Sequence, residues 1–513
     1  MKGIALVALL LSSGAYATET PLSAIPWLSE SIRIESSPPP ARPQAEPPRR
    51  GEEITVTTLG AVSRDAVGLL SSEQTGFSRD LWGPTDANEA RTLILRHPEG
   101  GVPAARALFR RVLLAEADTP DGAGSESELL LARIDRLLER GSLEEARALI
   151  ERAGPDTPDL FRRWFDIGLL LSAAEAPCEA LRQNPMLSPT LPARVFCLAR
   201  GGDWNAAEIT LTLGEHVGVI PEPQEALLAR CLDPEIVEGE PAPPVPDPLT
   251  PLDFLMREAV GLPRPQGPLP QAFVHLDLHE HAPMRARVEA AERLILTDAI
   301  TPGKLIEGYR AGKPAASGGA WERASAVQAL DAALAADPVD PDALSEALKT
   351  ATTLMAARGL DVALAEAYAD ALAVQEAGRL DPAARHVLVR LLLRAGRIDA
   401  AVAAAGHSPD AGAATLLAVA GHGSPAADPG DLALAALAGL GATAPNEERE
   451  HRLATMIDEG RQGEAIITAL DLLEAEEGVD PVSLRTALFA LKQAGQEEAA
   501  RVIALQTLIR AGV

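Results

Sequence analysis

The chain has 513 residues, 47% of them hydrophobic but only 3% aromatic, and a formal net charge of −27. Ala- and Leu-rich text with few aromatic or β-branched runs favours α-helix over sheet. A polyanion of this size gains nothing from phosphate backbones or anionic headgroups, so nucleic acid and anionic lipid headgroups are poor candidate partners and a protein with a cationic face is favoured.

At the N-terminus, Lys2, the apolar run Ile4–Leu11 and the ending Ala15-Tyr16-Ala17 predict a signal peptide over residues 1–17 and export to the periplasm. Later apolar runs such as "AGAATLLAVAG" and "DLALAALAGLGA" are too short to span a bilayer, so no membrane span is expected in the mature chain. Residues 18–51 read as a proline-rich, extended tail, with six prolines between Pro38 and Pro48. Within it Ile25, Trp27, Leu28 and Ile32 form an apolar island, read as a docking peptide for a partner or as a segment packing back on its own body. In 52–84 the alternation around Ile54 and Val56 predicts a short strand or irregular segment.

Residues 85–235 and 271–513 carry helical periodicity and read as two helical blocks. Between them, 236–270 holds ten prolines from Pro241 to Pro270 and reads as an extended linker. A recurrent unit marks both blocks. Gly141, Gly202, Gly378, Gly396, Gly460 and Gly495 are each followed five residues later by Ala146, Ala207, Ala383, Ala401, Ala465 and Ala500. A glycine ends one helix in the left-handed region, acidic residues follow in the first turn of the next, and the small alanine permits close helix approach. This spacing resembles the turn and second helix of the tetratricopeptide repeat, best in "LLARIDRLLERGSLEEARALIERAGPDTP". The first-helix aromatic positions of that family are mostly absent and the units are irregularly spaced. The resemblance implies an all-α fold of stacked helical hairpins in two blocks, presenting a surface that grips extended or helical protein segments.

Three cysteines, Cys178, Cys197 and Cys231, fall in one stretch. Cys178 and Cys197 are the candidate disulfide, the alternative being three buried thiols. The run "HLDLHEH" offers His275, His279 and His281 as candidate metal ligands. It lacks the glutamate of HExxH, has no second cluster to complete a site, and reads more simply as the polar lead-in to the next helix. No catalytic residue and no cofactor is expected. The pattern predicts a non-catalytic periplasmic scaffold that binds periplasmic or envelope proteins, such as an accessory of the flagellar motor. A metal-binding or glycan-directed envelope enzyme is the alternative. The oligomeric state is not encoded in any pattern found.

Overall fold

A computed structural model describes residues 25–28, 63–98, 100–124, 126–188, 190–233, 241–406, 409–474 and 478–513. These are all-α: no strand forms among them, and the only bridges are the isolated pairs Leu70–Ala115 and Asp86–Asp121. Ile54 and Val56, where a short strand was considered, lie outside the described residues.

An N-terminal group holds α1 (Ser72–Thr75), α2 (Ala87–Arg96) and α3 (Pro103–Leu114). The next group holds α4 (Glu128–Glu139), α5 (Leu143–Ala153), α6 (Pro158–Leu170), α7 (Glu175–Gln183), α8 (Leu191–Arg200), α9 (Trp204–Val217), α10 (Glu222–Leu232) and α11 (Pro251–Ala259). After a 3-10 segment, Gln271–Leu278, come α12 (Met284–Ile295), α13 (Pro302–Arg310), α14 (Gly319–Ala335), α15 (Pro341–Ala356), α16 (Asp361–Ala373), α17 (Pro382–Arg394) and α18 (Ile398–Ala405). The last six are α19 (Ala411–Val419), α20 (Asp431–Gly441), α21 (Glu448–Asp458), α22 (Gln462–Asp471), α23 (Pro481–Gln493) and α24 (Glu497–Arg510). From α4 to α11, and again from α12 to α20, each helix packs on the next.

Many of these helices start at a Thr-Pro or Asp-Pro pair. In α6, α11, α13, α15, α17 and α23 the first residue is proline, whose missing N–H costs nothing at that position. The preceding Thr157, Thr250, Thr301, Asp340, Asp381 and Asp480 side chains each accept a backbone N–H of the first turn. One such start, Thr250-Pro251, opens a helix inside the proline-rich stretch. That stretch is therefore not extended throughout: α11 packs on α6 and α10, and Arg257 donates to the Pro243 carbonyl at 3.0 Å.

The N-terminal group ties distant parts of the chain together. Helix α2 packs on α4 and α22, and α3 packs on α4, α22 and α24. The loop between them is held from several sides. Arg106 Nη1 and Arg510 Nη1 both donate to the Gly101 carbonyl, at 3.1 and 3.2 Å, while Arg106 Nε donates to Asp298 at 2.9 Å. His97 Nδ1 lies 2.5 Å from Asp471. The Ala104 N–H, unpaired within α3, donates to Gln506 Oε1 at 2.8 Å, and Gln506 Nε2 donates to the Arg394 carbonyl. A single core of buried apolar side chains accordingly runs from Ile25 to Ile509, with a small satellite around Val274 and Leu294.

Buried arginines fasten the helices across this core. Arg133 on α4 is fully enclosed and donates to four backbone carbonyls, of Leu113 (2.7 Å), Ala115 (2.9 Å), Asp65 (3.1 Å) and Val67 (2.8 Å). Burial lowers its pKa to about 10, which leaves it charged at neutral pH. Arg163 on α6 forms a two-pronged bond to Asp135 on α4 at 2.6 and 2.8 Å, both groups buried. Glu292 on α12 accepts from Arg323 on α14 and from the Tyr309 hydroxyl on α13, at 2.7 Å each.

Arg133→Met leaves four buried carbonyls without a donor and Asp65 without its nearby cation. Urea unfolding should show a loss of roughly 3–5 kcal/mol. Arg397→Met, which removes an exposed pair with Asp370, should cost about 0.5 kcal/mol or less.

Candidate functional site

The six glycine–alanine units separate into five and one. Gly141, Gly202, Gly396, Gly460 and Gly495 all have positive φ, between +68° and +84°. In each, the following N–H bonds back to a carbonyl of the preceding helix, as Ser142 does to Leu137 at 2.8 Å. Ala146, Ala207, Ala401, Ala465 and Ala500 are buried. The Gly378 unit departs from this. Gly378 lies in the 3-10 turn Ala377–Arg379 without a positive φ, Ala383 is exposed, and Ala384 takes the buried position. An Asp381-Pro382 start sets that helix's register, overriding the glycine spacing.

Two of these turns also receive other segments. Gly141 lies under the 3-10 segment, so close that a Cβ there would sit 3.1 Å from Gln271 Cγ. Gly460 meets Gly83: a Cβ on Gly83, at φ +48°, would fall 2.5 Å from the Gly460 carbonyl oxygen. Beside it the Gly463 N–H donates to the Leu81 carbonyl at 2.7 Å. These glycines serve as close-contact points as well as helix ends.

That contact explains the first histidine. His275 is buried, and its Nε2 donates to the Gly141 carbonyl at 2.6 Å, which assigns the proton to that nitrogen. His279 Nε2 lies 3.2 Å from the Ser172 hydroxyl, Asp277 pairs with Arg264 at 2.7 Å, and His281 is exposed. His275 and His279 thus meet separate partners while His281 is exposed, and no group of three or more His, Cys, Asp or Glu is placed to hold a metal among the described residues. Burial pushes the His275 pKa down to about 4.

The tail island turns onto the chain itself. Ile25, Trp27 and Leu28 are buried, and Trp27 stands edge-on to Phe273 at 5.6 Å, which in turn meets Phe254 edge-on at 5.6 Å. Of the two readings of this island, packing back on the chain's own body is the one these buried positions fit, with Trp27 set against the 3-10 segment. Ile32 lies outside the described residues.

Cys178 on α7 and Cys197 on α8 are joined by a disulfide with a Cα–Cα distance of 5.1 Å, and Cys231 is free. The bridge lies one helix away from a run of exposed apolar side chains. On α9, Ile209, Leu213 and Val217 recur every four residues and are 61%, 61% and 72% exposed. Ala207, Leu211 and Gly214 form the opposite, buried face. Such a ridge on an otherwise amphipathic helix is the kind of exposed apolar feature that marks a contact surface. Alongside it, Glu225 is pushed up by partial burial and by the charges of Glu215 and Glu222, three carboxylates close enough to act on one another. Next to the ridge, α6, α8, α9, α10 and α11 line a half-open apolar cavity of about 560 Å³.

The His275 geometry gives a pH dependence. Its folded pKa, about 4, lies below the ordinary 6.5, so its contribution is complete above pH 6.5 and is lost as pH falls towards 4. The loss amounts to about 3 kcal/mol. His275→Gln keeps an N–H donor for Gly141 without titrating; its unfolding free energy should fall less than the parent's between pH 6.5 and 4.

No protein-family model matches this chain, and no curated protein matches it in sequence.

Proposed function

We propose that the protein is an exported, non-catalytic scaffold of the periplasm that binds other envelope proteins through its tetratricopeptide-like helical surface. The observation that carries this reading is the exposed ridge Ile209–Leu213–Val217, an apolar stripe with no intramolecular cover among the described residues. Its four-residue spacing suits a partner helix laid along α9, and the surrounding carboxylates suit basic residues beside that helix's apolar stripe. The face of α22 and α24 that could have gripped a segment is covered by the chain's own α3, so the contact surface is moved to the disulfide-braced end. Attachment to an envelope machine such as the flagellar motor fits a protein whose work is to hold others in place.

A photo-crosslinking residue placed at Leu213 in cells should give one defined adduct with an envelope protein. The same residue at Val374, an isolated exposed apolar position on another helix group, should give none. Ile209→Glu with Leu213→Glu should abolish the adduct while leaving the melting temperature within a few degrees. Diffuse labelling at both positions, or none at Leu213, contradicts the reading.

A further inference from the structure

We propose that the cavity between α6, α8, α9, α10 and α11 is a binding site for one acyl chain of an amphiphile. The pocket is half open to solvent, with a predominantly apolar lining and a volume of about 560 Å³. That volume falls within the roughly 300–1,000 Å³ of small-molecule sites. The chemistry of the walls selects the occupant. Leu169, Val195, Phe196, Leu228, Leu255 and Met256 line the interior with aliphatic and aromatic carbon. The polar groups within are few and unsuited to a polar ligand. The Ser172 hydroxyl is engaged with His279, and the Cys231 thiol, whose pKa burial raises to about 11, is neutral and a weak donor.

A sugar, nucleotide or amino acid placed here would leave its hydrogen-bonding groups unpaired, each at a cost of about 1–3 kcal/mol. A hydrocarbon chain loses nothing of the kind. Both polar and half-open features sit at the rim. Arg200 lies there, ion-paired with Glu175 and partly exposed, and Trp204 lines the cavity while 54% exposed. This arrangement suits a molecule whose apolar body enters and whose polar head stays at the surface, with an indole at the boundary between them. The site is separate from the ridge used above: Ile209, Leu213 and Val217 face away from the buried side of α9. A protein can therefore lack either property without lacking the other.

The test uses the mature protein and three probes: palmitate, a lysophospholipid with the same chain, and octyl glucoside as a short-chain control. Palmitate should bind with a Kd in the low micromolar range and slow the alkylation of Cys231 by N-ethylmaleimide at least tenfold. Ala199→Phe and Ala259→Phe, each adding a ring to the cavity wall, should weaken binding at least tenfold with the thermal unfolding midpoint retained. Binding of palmitate alone assigns a free fatty acid. Equal binding of the lysophospholipid assigns the chain of a larger lipid or acylated protein. If neither long-chain probe binds or protects Cys231, or if both filled variants bind as the parent does, the proposal is wrong.

Discussion

The structure depends on one piece of helix being shared. Helix α3 touches α4 as well as α22 and α24, which lie near the other end of the sequence. Without it, α4 would lose its link to α22 and α24 through this helix, and the apolar faces of α22 and α24 would meet water. Its loop with α2 is pinned by Arg106, Arg510 and His97, and its first free N–H by Gln506. Arg133 then fixes the carbonyls at the other end of α3 to α4. The contacts are polar where backbone groups must be satisfied and apolar elsewhere, so the closure is directional as well as cohesive.

This closure changes what the surface can do. The faces of α22 and α24 that α3 covers are taken up by the chain itself. Apolar surface is left open at the α7–α10 end, with its disulfide, its exposed ridge and its cavity. The three features lie on neighbouring helices between α6 and α11. A covalent brace beside an uncovered apolar surface keeps that surface presented in one arrangement, which lowers the ordering cost of binding.

The helical class was legible because composition and glycine–alanine spacing are local properties. Gly141, Gly202, Gly396, Gly460 and Gly495 end helices by the same backbone geometry that their spacing implies. Gly378 fails because a stronger local signal, the Asp381-Pro382 start, lies three residues on. The same Thr-Pro or Asp-Pro pair would have revealed α11 inside the proline-rich stretch, where prolines were read only as breakers. Other features had no local trace. Nothing around His97 or Gln506 announces a partner some 400 residues away, and Arg133 looks like any helix-surface cation until its carbonyl partners are brought in. "HLDLHEH" was readable as chemistry but not as architecture: His275 has meaning only once Gly141 lies beneath it.

The central claim, that α3 joins the two ends into one cooperative body, is most directly tested by native-state hydrogen exchange. Amides in Pro103–Leu114 should exchange in the same slow, cooperative step as those of α4, α22 and α24, with a common free energy and denaturant dependence. Exchange of the α3 amides at markedly lower free energy, while α22 and α24 stay protected, would contradict the account.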